Sequence, residues 1–275
     1  MTNLLLIVLL AAVQGVTEFL PVSSSGHLVI LGKLSGLDAE SNQMLGIFMH
    51  AGSLGAIVVF YFKLLCGFFR RDQLHLMLMI IAGSVPAGIA GVALKLTGGA
   101  DFLFDSPLVT GMAMLVTGMV LRLTGKKNLV PDQENAVSVK EISLRQALTI
   151  GLVQMAAILP GISRSGSTIA AGLFCGVKRE DAAAFSFLLA LPAIAGATLI
   201  EIVGLIKAPE MLENHGTPIM HIIVAVLVAF LVSLGSLTLV VNVVKKSRLS
   251  AFSWYLFAVG IAVIIWQAVI FNGVK

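Results

Sequence analysis

Residues 159–168 read Leu-Pro-Gly-Ile-Ser-Arg-Ser-Gly-Ser-Thr, and residues 20–27 read Leu-Pro-Val-Ser-Ser-Ser-Gly-His. Each cluster interrupts an apolar stretch, 144–177 in the first case and 3–33 in the second. A helix does not run unbroken through such a group of Pro, Gly and Ser, because proline removes a backbone donor and clashes with the preceding turn. Irregular backbone at membrane depth survives only where protein or a water-filled cavity satisfies its N–H and C=O groups. Both stretches therefore predict re-entrant helix-turn-helix hairpins that enter and leave on one side.

The remaining sequence places these hairpins in lipid. Of 275 residues, 58% are hydrophobic and 12% charged, and the mean hydropathy is +1.01. Soluble domains carry about 45–50% apolar and about 25% charged residues, so a water-soluble protein is excluded. Apolar runs at about 44–62, 74–95, 107–124, 182–206, 219–244 and 252–271 each approach the ~20 residues that a helix needs to cross a bilayer. The expected fold is thus an all-α polytopic membrane protein with six transmembrane helices plus two re-entrant hairpins. The N-terminal apolar run has no Lys or Arg before Lys33, unlike the basic start of a cleavable signal peptide, and is expected to stay in the membrane.

The two broken segments also resemble each other. At an offset of 140 residues, Val13-Gln14 aligns with Val153-Gln154, and Ser23-Ser24-Ser25-Gly26 aligns with Ser163-Arg164-Ser165-Gly166. Each hairpin precedes three spans, so a duplicated unit would insert upside down, the inverted-repeat design that puts sites near the midplane. The expectation is one membrane domain, 1–275, of two inverted repeats at about 1–137 and 138–275, joined by a cytoplasmic linker at about 125–143. Charge supports this orientation. With the N-terminus outside, thirteen Lys and Arg fall on the cytoplasmic side and Lys33, Lys95, Lys207 and Lys275 outside, as the positive-inside rule expects. The net charge of +4 is therefore topological and does not form a nucleic-acid patch.

Polar groups that lipid should exclude are functional candidates by default. They gather in the hairpins: Gln14, Glu18, Ser23, Ser24, Ser25 and His27 in the first, Ser163, Arg164, Ser165, Ser167 and Thr168 in the second. An Arg at a helix centre costs about 2.5–3.5 kcal/mol on insertion scales, so something must compensate Arg164. Gln14 and Glu18 are spaced to share one helix face. Arg grips phosphate in a bidentate fork, and half-helix N-termini bind anions, so a phosphate fits this inventory. An Arg164–Glu18 ion pair closing the repeat interface is the structural counterpart of that reading. His50 and Glu201 are isolated in apolar spans and read as buried hydrogen bonders or helix-end residues. His75, His215 and His221 sit at loop borders. Cys66 and Cys175 make neither a disulfide framework nor a CxxC site. The chain contains no Walker A loop or HExxH, and no GxGxxG in a nucleotide-binding context, so no organic cofactor is expected.

QGVTEFLPVSSSGH at 14–27 and PGISRSGST at 160–168 resemble the motifs of the bacitracin-resistance family of undecaprenyl-pyrophosphate phosphatases. The resemblance in length and span pattern covers essentially the whole chain. It implies hydrolysis of undecaprenyl pyrophosphate to undecaprenyl phosphate and inorganic phosphate, which recycles the cell-wall lipid carrier and confers bacitracin resistance. The active site would open to the extracytoplasmic face of the bacterial cytoplasmic membrane. The family's catalytic positions fall on Glu18, Ser24, His27 and Arg164, with Gln14, Ser23, Ser25, Gly26, Ser163, Ser165, Gly166 and Thr168 as substrate-binding positions. Ser24 is favoured as nucleophile, with His27 and water as the alternatives. Many members carry an acidic residue where this chain has Gln14, which weakens a two-carboxylate site for Mg²⁺ or Ca²⁺ but leaves Glu18 and the diphosphate as ligands. The expected partners are a polyprenyl diphosphate, membrane lipids and a second copy in a homodimer. The rival reading is a carrier that flips a polyprenyl phosphate between leaflets, which the architecture alone suggests.

Overall fold

The computed structural model describes residues 4–37, 39–68, 73–97, 106–126, 130, 134–207 and 218–273. Pro131 and Asp132 of the expected linker, His215, Arg70, Arg71, Lys127 and Lys275 lie outside these residues, as do the side chains of Lys95, Glu201 and Lys207. The described chain is helical throughout and has no strand, only an isolated bridge between Val137 and Val177.

The first half comprises α1 (Leu4–Thr17), α2 (Ser24–Leu34), α3 (Ala39–Phe60), the short α4 (Phe62–Gly67), α5 (Leu74–Thr97) and α6 (Pro107–Leu123). The second comprises α7 (Leu144–Ala156), α8 (Arg164–Phe174), α9 (Arg179–Lys207), α10 (Ile219–Lys245) and α11 (Phe252–Gly273). Helix starts follow local chemistry. Ser106 caps α6 with Pro107 at its first position, where proline's missing donor costs nothing. Ser143 and Gln146 close a capping box at the start of α7.

Both expected breaks are present, between Thr17 and Ser24 and between Ala156 and Arg164. Among the described residues four segments are long and apolar enough to cross a membrane: Leu74–Leu94, Arg179–Gly204, Ile219–Lys245 and Leu249–Val269. Leu4–Thr17, Met44–Phe60 and Pro107–Leu123 are shorter apolar helices. The linker is partly packed: Val139 and Ile142 are buried, and Val137 donates to Gly176 O while Lys178 donates back to Val137 O.

Packing crosses between the halves. Helix α1 lies along α10, and α7 lies along α5; α3 packs on α10, α9 packs on α5, and α6 pairs with α11. Small residues permit the close approaches that lipid-embedded helices use for cohesion. A Cβ on Gly15 would meet the α10 backbone at Ala229 O, 2.9 Å away, and one on Gly151 would run into the α5 backbone at Gly83. Phe19, directly after Glu18, is fully buried and meets Phe187 of α9 edge to face at 5.4 Å. Leu5, Ile89, Met119, Leu231 and Ile265 are exposed, as side chains solvated by lipid are.

Gly151→Val is expected to lower stability by about 1–3 kcal/mol, because the obstructing atoms are backbone and cannot rotate away. Thermal unfolding in detergent measures this, with Gly88→Ala, whose Cβ meets nothing within 4 Å, as the near-neutral comparison.

Candidate active site

The site forms where the two broken hairpins meet. Helix α1 closes as Thr17 Oγ1 donates to Val13 O and the Glu18 amide donates to Gln14 O. The chain then turns through Glu18–Val22 and restarts at Ser23, which holds φ 69°, a left-handed conformation rare for any residue but glycine. Ser23 Oγ accepts from the Gly26 amide at 3.3 Å, capping α2, and from the Gly161 amide of the other hairpin at 3.1 Å. In return Ser165 Oγ donates to Leu20 O at 3.2 Å. Each N-terminal serine cluster thus satisfies orphaned backbone in the opposite turn, as irregular backbone at membrane depth requires.

Gly161, at φ 97°, lies so close to Thr110 O that a Cβ would overlap it. Thr117 of α6 fastens the same turn: its Oγ1 donates to Gly161 O and accepts from the Ser163 amide, both at 3.1 Å.

Glu18 is the hub. It is buried, and its Oε1 accepts from Arg164 Nη2 at 2.5 Å. Its Oε2 accepts from Gln14 Nε2 at 2.9 Å and from Ser24 Oγ at 2.6 Å. His50 Nε2 stands 3.4 Å from the same oxygen. His50 Nδ1 must carry a proton, since it lies 2.6 Å from Gly46 O and a carbonyl only accepts. The expected Arg164–Glu18 pair and the Gln14–Glu18 face are therefore present. His50, read from the sequence as an isolated buried histidine, joins the cluster.

The other expected residues divide. Ser163 Oγ caps α8 by accepting from the Gly166 amide at 3.1 Å and lies 3.3 Å from Ser165 Oγ. Ser25 Oγ is 3.5 Å from Ser23 Oγ, and Gly26 is closely covered by Met114 and Thr110. The Thr168 hydroxyl donates to Arg164 O and pairs with Ser186 Oγ of α9 at 2.6 Å. His27 is not bonded to Glu18 either. Its Nδ1 lies 2.7 Å from Ser23 O, and its Nε2 lies 2.7 Å from the hydroxyl of Tyr255.

Two atoms at the hub are buried without a partner, Arg164 Nη1 and Gln14 Oε1. The guanidinium spends one arm on Glu18 and keeps a second donor free. Ser24 and Arg164 are the first residues of α2 and α8, so two helix N-termini, with their unpaired amides and positive dipole ends, bracket that arm. Such a place accepts an anion and sets a hydroxyl beside a carboxylate. Among the described residues no three His, Cys, Asp or Glu gather as a metal site; Glu18 and the free Gln14 Oε1 are the oxygens available to a hard cation.

Removing one partner of a buried ion pair strands the other charge and costs about 3–5 kcal/mol. Arg164→Met is expected to lose stability on that scale, and the double variant Glu18→Met/Arg164→Met to recover most of it, read from equilibrium unfolding in detergent.

Comparison with known proteins supplies the family. The family model described as bacitracin resistance protein BacA matches residues 7–262. An undecaprenyl-diphosphatase of Rhodopirellula baltica is 39% identical over 265 residues, covering 96% of this chain and 98% of its own. One of Desulfosudis oleivorans is 38% identical, with 94% and 96% covered. One of Bacteroides thetaiotaomicron is 35% identical, with 94% and 97% covered. The match runs through both hairpins and nearly every helix between them, and the chain belongs to the bacitracin resistance protein BacA family.

Proposed function

We propose that this protein is an integral membrane undecaprenyl-diphosphatase, hydrolysing a polyprenyl diphosphate to the monophosphate and inorganic phosphate. The observation that carries the reading is the hub: Arg164, at the first position of α8, whose Nη1 is buried and without a partner, and Ser24, at the first position of α2, with Oγ 2.6 Å from the carboxylate of Glu18. The names of the relatives point to the same reaction.

Phosphoryl transfer asks a protein mainly to position the groups and to stabilise charge on the equatorial oxygens. Arg164 Nη1 and the first amides of α2 and α8 would hold those oxygens. Glu18 takes the Ser24 proton as Oγ attacks the terminal phosphorus; the polyprenyl phosphate leaves, and water then cleaves the phosphoserine to release inorganic phosphate and restore the hydroxyl. His27 has its Nδ1 proton committed to Ser23 O, so Nε2 is the nitrogen left to take a proton from water in the second step. Glu18 and Gln14 Oε1 would be the protein oxygens to hold a Mg²⁺ or Ca²⁺ ion beside the diphosphate, and the ion would neutralise phosphate charge.

The architecture we assign is six membrane-crossing helices and two re-entrant hairpins in inverted repeats of about 1–137 and 138–275, within one domain. The reciprocal packing of α1 on α10 and α7 on α5 supports it, as do the reciprocal Ser23–Gly161 and Ser165–Leu20 bonds. The Lys and Arg bias of the loops supports a hairpin mouth on the extracytoplasmic side of the bacterial cytoplasmic membrane.

The test is phosphate release from a C55 or shorter prenyl diphosphate by purified protein in detergent. Ser24→Ala is expected to lower kcat by at least about a hundredfold, the range for losing a positioned catalytic group. Arg164→Lys, which has no second arm, is expected to do the same while remaining folded, and EDTA to reduce the rate. Folded wild-type protein that releases no phosphate would overturn the phosphatase reading in favour of the lipid carrier.

A further inference from the structure

The residue that completes His27 comes from the far end of the chain. Tyr255 lies in the first turn of α11, 228 positions from His27, and its hydroxyl is 2.7 Å from His27 Nε2. The two rings are nearly parallel, at 4° with centroids 5.8 Å apart. Helix α2 packs against α1, α3 and α6, and α11 packs against α6, so Tyr255 reaches across α6 to make this bond. Its ring is 44% exposed; core packing therefore does not dictate where the hydroxyl points.

The bond also has a fixed sense. Ser23 O accepts from His27 twice, from the backbone amide at 3.2 Å and from Nδ1 at 2.7 Å, and a carbonyl has no proton to give. In the neutral ring the Nδ1 proton is thus committed, Nε2 carries the lone pair, and Tyr255 donates to it. Which nitrogen of a histidine works is set by the bond that the other makes. Here the strained carbonyl of Ser23 holds one side and Tyr255 holds the other.

We infer that Tyr255 is a positioning residue of the reaction: its hydroxyl keeps His27 in the Nδ1–H form with Nε2 held ready at the start of α2, and it yields that nitrogen when the attacking water arrives. This rests on the phosphatase reading above. Tyr255 acts through His27, whose Nε2 its hydroxyl meets, and has no recorded contact with Glu18, Ser24 or Arg164. A tyrosine at this depth passes for one of the aromatic side chains that line membrane interfaces, and Trp254, beside it, does stack under Arg122 at 5.2 Å. The hydroxyl-to-imidazole bond is what separates the two neighbours.

The test is Tyr255→Phe, which keeps the ring and removes the hydroxyl, beside Trp254→Phe. Loss of one oriented hydrogen bond is worth about tenfold, so kcat for phosphate release is expected to fall about tenfold with KM changed less than about twofold. Trp254→Phe is expected to keep the wild-type kcat. The ¹⁵N spectrum of histidine-labelled protein is expected to show the His27 Nε2 resonance moving toward its unbonded position in Tyr255→Phe alone. An unchanged His27 spectrum, or a shifted spectrum with an unchanged kcat, would overturn the proposal. Wild-type protein without phosphatase activity would instead defeat the reading of the reaction, and the spectrum would still decide whether Tyr255 holds the ring.

Discussion

The contact between Glu18 and Arg164 joins the tips of two helices that both stop inside the apolar part of the protein. Each tip alone would leave backbone groups and one charge without partners in a medium that punishes both. Together they remove each other's penalty: carboxylate meets guanidinium, Ser23 receives the Gly161 amide, and Ser165 serves the Leu20 carbonyl. The pairing is incomplete, since Arg164 Nη1 and Gln14 Oε1 stay buried without a partner. The unpartnered guanidinium arm is what a phosphate oxygen would fill in the proposed reaction, so the arrangement that makes the hairpins tolerable would also serve the chemistry.

The two hairpins are alike in frame and unlike at the positions that carry charge. At the 140-residue offset, Glu18 corresponds to Ile158, Ser24 to Arg164 and His27 to Ser167, while Gln14 and Gln154 are the same. One hairpin thus supplies acid and hydroxyl, the other the cation. An identical pair would set Arg against Arg or Glu against Glu, and like charges in a site of low dielectric repel strongly. The asymmetry leaves Gln154 buried with neither amide atom bonded, where the first hairpin has the Gln14–Glu18 contact.

Much of this was legible in the sequence because lipid makes the code coarse. Apolar runs gave the helices, and Pro, Gly and Ser clusters gave the breaks at Ser23 and Ser163, both of which are N-caps. Gln14 and Glu18 share a face as their spacing required, and Arg164 found Glu18. The misses have physical causes. His50 is a single polar residue in a long apolar helix, and nothing in its neighbours says that it meets Glu18 across an interhelical gap; its presence at membrane depth was the only signal. Thr117 and Tyr255 belong to helices remote in sequence, and only the tertiary fold brings them to the hairpins.

In the proposed reaction the two tips would form one diphosphate-binding site through the free arm of Arg164. The most direct measurement is the affinity of a nonhydrolysable prenyl methylenediphosphonate for wild-type protein and for Arg164→Lys, with the Arg164 guanidinium followed by ¹⁵N labelling. Binding by the lysine variant is expected to be at least about tenfold weaker, the worth of one charge-assisted hydrogen bond, and the wild-type guanidinium resonance is expected to shift on saturation. Equal affinity of the two proteins, with the guanidinium resonance unmoved, would contradict it.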